Sequence, residues 1–164
     1  LALDADLDLF FIQAAANHDQ AVVLELLRQP FSIPTFSDSG AQVSQIMDSS
    51  LQTHLLGHWV RDVGAITVED AVHRMTQVPA TAWGFADRGV VAEGMAADLN
   101  VLDLGRLTPN LPELVYDLPG GARRLRQTAT GFAATIVNGE VLVEHGEPTG
   151  ARPGRLLRGP LAPS

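Results

Sequence analysis

Phe31-Ser32-Ile33-Pro34-Thr35-Phe36-Ser37-Asp38-Ser39-Gly40-Ala41 is the stretch that decides the fold, because an apolar run stops there in a polar turn that holds one carboxylate. Residues 20–29 before it follow a helical pattern, and a second helix is predicted from Ser49. The pattern predicts a strand over residues 31–36, with Asp38 just beyond its C-terminal end. Helix, strand, carboxylate and helix form the repeating unit of an α/β barrel, in which chemistry lies at the C-terminal ends of the strands.

Asp38 admits two interpretations. Because Asp, Ser and Gly all favour turns, its side chain could simply close a turn through an Asx hydrogen bond. Alternatively, it is a catalytic carboxylate at the end of a barrel strand. Pro34 weighs against a central strand, since proline cannot donate to the ladder. The local sequence leaves both interpretations open.

The composition limits the partners and the compartment. With 164 residues, 46% hydrophobic and 18% charged, the chain has the composition of a soluble globular protein. Its net charge of −8 argues against a nucleic-acid partner, which needs a basic face. No apolar run reaches the about 18 residues of a membrane helix, and the N-terminus lacks a signal-peptide pattern. We therefore expect no membrane partner and a cytoplasmic location.

Capping signals place three helices. Asp19 is the predicted N-cap of the helix over residues 20–29. Ser49-Ser50-Leu51-Gln52 predicts a capping box, whose first and last residues bind each other's backbone, for a helix that runs to about Val63. Thr67-Val68-Glu69-Asp70 predicts a second box, for a helix that Pro79 ends or kinks.

A metal site is one possible use of His54 and His58, which are four residues apart and share a helix face. Leu55 stands where zinc proteases carry a glutamate after the first histidine. Asp62, the nearest candidate third ligand, is two turns from His54, about 12 Å along the axis. A structural role is therefore favoured for this pair.

The second half of the chain follows a strand pattern. Residues 97–103 alternate as a strand, and residues 105–128 are predicted to form a long irregular connection. Residues 132–137 and 140–144 predict a β-hairpin closed by Asn138-Gly139 in a type I′ turn. Three clustered arginines are expected to cap helix ends or pair with carboxylates rather than bind phosphate: Arg123, Arg124 and Arg126.

The order of motifs resembles the amidohydrolase superfamily, and within it the N-acyl-D-amino-acid deacylase (D-aminoacylase) branch. The motifs that carry the general resemblance are Ile66–Val72, Val78-Pro79-Ala80, Asp87-Arg88-Gly89, Gly94 and Ala97-Asp98-Leu99. Those that carry the branch are Ser37–Ala41, Leu56–Asp62, Asp117-Leu118-Pro119, Val137-Asn138-Gly139 and Thr149–Arg155.

The resemblance implies an α/β fold, the C-terminal end of a (β/α)8 metal-dependent hydrolase barrel plus strands of a small β-sandwich. Residues 1–85 would supply the last helices and strand of the barrel. Residues 86–164 would supply the sandwich strands, the long loop and the C-terminal tail. A barrel alone takes roughly 250 residues, and the chain begins at Leu1 in mid-pattern, so we expect a piece of a longer protein.

The resemblance also assigns a site. Asp38 would be a metal ligand and the general base and acid that activates water and protonates the leaving nitrogen, with zinc bound in the complete parent. Ser39, Gly40 and Gln42 would contact the substrate, an N-acylated amino acid or related amide. Because the chain holds no His-x-His pair, the isolated chain is expected to bind no zinc and to be inactive.

Two other functions remain open. Gln42 stands where the resemblance leads us to expect a histidine, and a non-catalytic structural or assembly lobe would explain that change. An independent metal-binding domain built on His54, His58 and Asp62 is the third hypothesis. Because the chain is expected to be a piece of a longer protein, we expect the apolar faces of residues 31–36 and 51–75 to pack against the remainder of the parent chain or in a homo-oligomer.

Overall fold

The structure, a computed structural model, describes residues 3, 4, 6, 11, 13, 16–41 and 49–158. The chain divides into two compact units, residues 1–32 and residues 33–164. The architecture mixes helices with antiparallel strands, in keeping with the α/β class. The division at residue 85 into a barrel part and a sandwich part stays a prediction.

The first unit contains helix α1, Gln20–Arg28. The Asp19 carboxylate accepts hydrogen bonds from the backbone N–H groups of Ala21 and Val22 at 3.0 and 3.3 Å. These bonds satisfy two of the donors that a helix start leaves unpaired, which confirms the predicted N-cap. The helix ends at Gln29, whose backbone is extended, because proline follows it.

The strand predicted over residues 31–36 is wrong. Phe31 lies in a turn, and residues 32–38 belong to neither helix nor strand. A strand exists only through its hydrogen-bonded partner, and no described strand pairs with this segment. Pro34 also removes one donor, so an apolar run alone could not establish the ladder.

The second unit begins its regular structure with helix α2, Leu51–His54, which continues as a π-helix over Leu55–Asp62. The wider turn shows in the bond from the Val63 N–H to the His58 carbonyl at 2.9 Å. The predicted capping box is wrong, because Ser50 is the N-cap and its side chain makes no capping hydrogen bond. The apolar side chains that this helix buries are Leu55, Leu56 and Trp59.

Helices α3, Val68–Met75, and α4, Gln77–Ala82, follow. The Thr67 hydroxyl accepts a hydrogen bond from the Asp70 N–H at 3.2 Å, so the predicted N-cap is confirmed. Pro79 lies in the first turn of α4, where a missing N–H costs nothing. None of the helices in the described part of the chain is long and apolar enough to cross a membrane.

The main sheet has four antiparallel strands in the order β1-β6-β7-β8. The predicted hairpin is confirmed, since Val137 pairs with Glu140 across a two-residue connection. Asn138 and Gly139 both have positive φ, 48° and 82°, as a type I′ turn requires. The strands of this sheet are β1, Leu99–Leu102; β6, Phe132–Val137; β7, Glu140–Glu144; and β8, Glu147–Pro148.

Residues 105–128 are more regular than predicted. They hold two short antiparallel pairs, β2 with β5 and β3 with β4, and one 3-10 turn, Pro119–Gly121. An ion pair joins Arg126 to Glu113 across the second pair, and another joins Arg124 to Asp117, just beyond the end of β3. Both Arg124 and Arg126 therefore bind carboxylates, as expected. The short strands are β2, Thr108–Pro109; β3, Glu113–Val115; β4, Arg124–Arg126; and β5, Ala129–Thr130.

Leu107 joins the helices of the second unit to its strands. It is fully buried, and its backbone lies against Gly57 on one side and Gly131 on the other. A Cβ at Gly131 would come within 2.7 Å of the Leu107 Cα, so only glycine fits there. The Arg61 guanidinium also donates hydrogen bonds to the carbonyls of Leu104 and Leu107. The π-helix is thereby fixed to the start of the β region.

Candidate functional site

Asp38 lies in a turn with left-handed backbone, at φ +60°. The Ala41 N–H donates to the Asp38 carbonyl at 3.1 Å, and the Ser39 N–H donates to the Ser37 hydroxyl at 3.3 Å. Asp and Asn, which have short polar side chains, adopt left-handed backbone more often than other non-glycine residues. The turn residue is also exposed.

The Asp38 carboxylate is exposed, and it makes no hydrogen bond or ion pair with any described residue. The Asx hydrogen bond of the turn interpretation is therefore not observed among those residues. Asp38 closes the turn with its backbone carbonyl, and its carboxylate has no partner in the part of the chain that the structure describes. A carboxylate of this kind can accept a proton or serve as one ligand of a metal ion.

Ser39 and Gly40 follow Asp38 on the same exposed turn. Gly40 has φ +90°, and no atom lies within 4 Å of the position that a Cβ would take. A ligand can therefore approach the backbone closely at this residue. Gln42, the fourth predicted site residue, lies outside the described residues.

Two glutamine side chains, neither of them a predicted site residue, form hydrogen bonds to the chain on either side of Asp38. The Gln52 side-chain amide donates to the Thr35 carbonyl at 2.9 Å. The Gln127 side-chain oxygen accepts from both the N–H and the hydroxyl of Ser49, each at 3.2 Å. Nothing local in the sequence signals either bond, because the partners are 17 and 78 residues apart.

The histidine pair has no third metal ligand beside it among the residues that the structure describes. The rings of His54 and His58 stack with centroids 4.8 Å apart and planes 17° apart. The hydrogen bond from Arg61 holds the pKa of Asp62 below its usual range, so this carboxylate is already paired. No group of three His, Cys, Asp or Glu side chains suited to a metal ion occurs in the part of the chain that the structure describes.

The described residues therefore fit zinc only in part. Asp38 fits the role of a single ligand, whereas a catalytic zinc ion takes three protein ligands as a rule. The other ligands would have to come from outside the described residues.

The motif residues after position 86 serve the fold. Arg88 binds the carboxylates of Asp87 and Asp98, and the hydrogen bond from Arg88 lowers the pKa of Asp87. Asp98 in turn accepts the Asn138 N–H at 2.8 Å, while the Asn138 amide donates to the Pro153 carbonyl at 2.7 Å. This network joins the segment before β1, the hairpin turn and the tail.

Two cavities of about 410 and 560 Å³ lie between the helices and the main sheet. They share Thr53, Asn100 and Phe132 in their linings, and Asp38 lines neither of them. The exposed turn and the cavities are thus separate features of the second unit.

Comparison with known proteins assigns the family. A model described as the amidohydrolase family matches residues 10–143. The chain belongs to the amidohydrolase family. The match includes Asp38 and the hairpin turn, so both lie within the amidohydrolase part of the sequence.

The relatives within the amidohydrolase family are deacylases. N-acyl-D-glutamate deacylase of Alcaligenes xylosoxydans xylosoxydans is 36% identical over 106 residues, which are 65% of this chain and 20% of that protein. N-acyl-D-aspartate deacylase of the same organism is 33% identical over 106 residues, 64% of this chain and 19% of that protein. The chain therefore spans about a fifth of the length of the curated relatives it matches.

A solved structure agrees with this assignment. The structure of a D-aminoacylase mutant in complex with CuCl2 is 32% identical in sequence, with a TM-score of 0.51. The match covers 65% of this chain and 20% of that one.

Proposed function

We propose that this chain is the C-terminal part of a metal-dependent amidohydrolase that hydrolyses the C–N bond of an N-acyl amino acid or related amide, with Asp38 as general base and acid. One observation carries the proposal: Asp38 sits in a left-handed turn that leaves its carboxylate exposed and without a described partner. The names of the relatives supply the reaction class.

In the proposed reaction, Asp38 first accepts a proton and then donates it. A carboxylate oxygen accepts a proton from the attacking water as the new C–O bond forms, and the same carboxyl then gives it to the leaving nitrogen as the C–N bond breaks. The products are a carboxylate and a free amine. Zinc in the complete parent would lower the pKa of the attacking water and polarise the amide carbonyl.

The residues after Asp38 would position the substrate. Ser39 offers a hydroxyl that can donate or accept, and Gly40 allows the substrate to lie against the backbone. Gln42 would contact the same substrate, with a neutral amide where the resemblance leads to a histidine. We propose that this change alters substrate preference rather than the reaction.

The remaining parts of the proposal concern the chain as one part of a longer parent polypeptide. Residues 1–85 would complete the barrel and residues 86–164 the sandwich, packed against the remainder of the parent chain or a second copy. The isolated chain would hold no stoichiometric zinc and show no turnover. A cytoplasmic location stays a prediction.

The test uses the complete polypeptide encoded by the reading frame that contains these residues, with elemental analysis for zinc. Activity is measured on N-acetyl-D-glutamate, N-acetyl-D-aspartate, N-acetyl-D-methionine and N-acetyl-L-glutamate. We expect hydrolysis of at least one of them, and we expect Asp38→Asn to lower kcat about a hundredfold or more, because an amide cannot transfer the proton.

Asp19→Asn is the matched control, since Asp and Asn are equally good N-caps and this substitution should leave activity unchanged. Wild-type activity in Asp38→Asn would contradict the catalytic role. A zinc-free, inactive complete polypeptide would instead favour the second function, a non-catalytic lobe, for which the replacement at Gln42 is the specific observation.

A further inference from the structure

Gln52 connects the segment that carries Asp38 to the adjacent helix. Its side-chain amide nitrogen donates to the Thr35 carbonyl at 2.9 Å, and Thr35 precedes Asp38 by three residues. Segment 32–38 belongs to neither helix nor strand, so no regular ladder holds its backbone in place. A hydrogen bond from a helix therefore restrains the position of this segment more than it would restrain a strand that a ladder already holds.

The helix end that carries Gln52 is itself held firmly. The adjacent Thr53 is buried, and so are Leu55 and Leu56 in the next turn. Just before the helix, Ser49 donates twice to the Gln127 side-chain oxygen, and the Gln127 amide donates to the Asn110 carbonyl at 2.9 Å. The backbone of Gln52 is thus fixed both to the core and to the β region.

We infer that Gln52 is a positioning residue for Asp38, an inference that rests on the proposed function. Asp38 must lie within about 2.6–3.2 Å of the proton that it transfers. Since its carboxylate has no described partner, the backbone of the turn sets its position. Without the bond from Gln52 to Thr35, the segment can shift relative to the helix, and small misplacements of a catalytic group slow the reaction strongly.

The experiment measures kcat and KM of the complete polypeptide on its best substrate from the panel above. Gln52→Leu removes the donor, and we expect kcat to fall about threefold to tenfold with little change in KM. Gln52→Lys restores a donor that can reach the carbonyl, and kcat should recover to within about twofold of wild type. Gln20→Leu is the matched control, because Gln20 also donates to a backbone carbonyl, that of Asn17, yet lies on helix α1.

Thermal unfolding separates positioning from stability. We expect the melting temperatures of the three variants to remain close to wild type. Wild-type kcat in Gln52→Leu would overturn the inference, as would a loss that Gln52→Lys fails to restore or that follows the melting temperature. Asp38→Asn is measured beside them. If it is inactive while Gln52→Leu is normal, only this inference fails; if it is active, the proposed function fails instead.

Discussion

The hairpin turn and the Asp38 turn each contain a non-glycine residue with left-handed backbone, Asn138 at φ 48° and Asp38 at φ 60°. Asn138 uses its N–H and its side-chain amide for hydrogen bonds to Asp98 and Pro153, and a paired strand lies on either side. Within the described ranges, Asp38 forms hydrogen bonds through its backbone alone, and the residue is exposed. The same conformation therefore serves stability at one site and leaves a side chain available for chemistry at the other.

The largest effect on stability is expected at the hairpin turn. Gly139→Val places a β-branched residue at φ 82°, a region that such residues rarely adopt, and should cost about 2 kcal/mol of unfolding free energy. Denaturant unfolding of the complete polypeptide is the measurement. Gly154→Val is the control, since that glycine has ordinary φ and open space around it. Equal stability of Gly139→Val and wild type would refute the type I′ assignment.

The two turns also differ in how far the sequence predicts them. Asn-Gly between alternating strands specifies the hairpin because the turn residues themselves require it, and Asp19 specifies its helix start for the same local reason. The apolar run before Asp38 could not specify a strand, since a strand depends on a partner elsewhere in the chain. Asp38 is a candidate because of its place after the apolar run and because of the family resemblance, and its catalytic role stays a proposal.

The capping box and the helix type after Ser49 were not predicted correctly. Ser49 and Gln52 match a capping box in sequence, yet Ser49 binds Gln127 and Gln52 binds Thr35. The continuation of α2 as a π-helix also has no signal in the apolar spacing, because Leu55 and Trp59 suit an α-helix equally well. Contacts that are distant in sequence selected these outcomes, so no local pattern could reveal them.

A reciprocal exchange sharpens the comparison, with an intermediate effect on stability. Asn138→Asp keeps a residue that tolerates left-handed backbone, but it removes the donor to Pro153 and places a second carboxylate beside Asp98. We expect it to cost about 1–2 kcal/mol of unfolding free energy and to leave kcat unchanged. Asp38→Asn makes the opposite exchange and should change stability by less than about 0.5 kcal/mol while activity is lost.

Each variant of this pair is the control for the other, measured by denaturant unfolding and by turnover of the same preparations. If Asn138→Asp lost activity without losing stability, the hairpin turn would not be purely structural. If Asp38→Asn unfolded as easily as Asn138→Asp, the Asp38 carboxylate would have a structural partner, and the contrast between the turns would disappear.

The smallest effect is expected at the ion pair that supports the β3–β4 strands, and it depends on pH. The Asp117 carboxylate accepts two hydrogen bonds from Arg124, at 2.7 and 2.6 Å, and the bonded guanidinium lowers the pKa of Asp117. A carboxyl whose pKa is lower in the folded state contributes stability above its unfolded pKa and loses that stability as pH falls through the folded pKa.

Because the Asp117–Arg124 pair is exposed, solvent screens it strongly and its contribution to stability is small. We expect Asp117→Asn to lower the melting temperature slightly at pH 7, and we expect this difference to shrink as pH falls through the lowered pKa of Asp117 and the wild-type carboxyl becomes protonated. Glu140→Gln is the control, since no ion pair among the described residues involves Glu140. A difference between Asp117→Asn and wild type that persisted undiminished in acid would show that side-chain shape, rather than charge, holds these strands together.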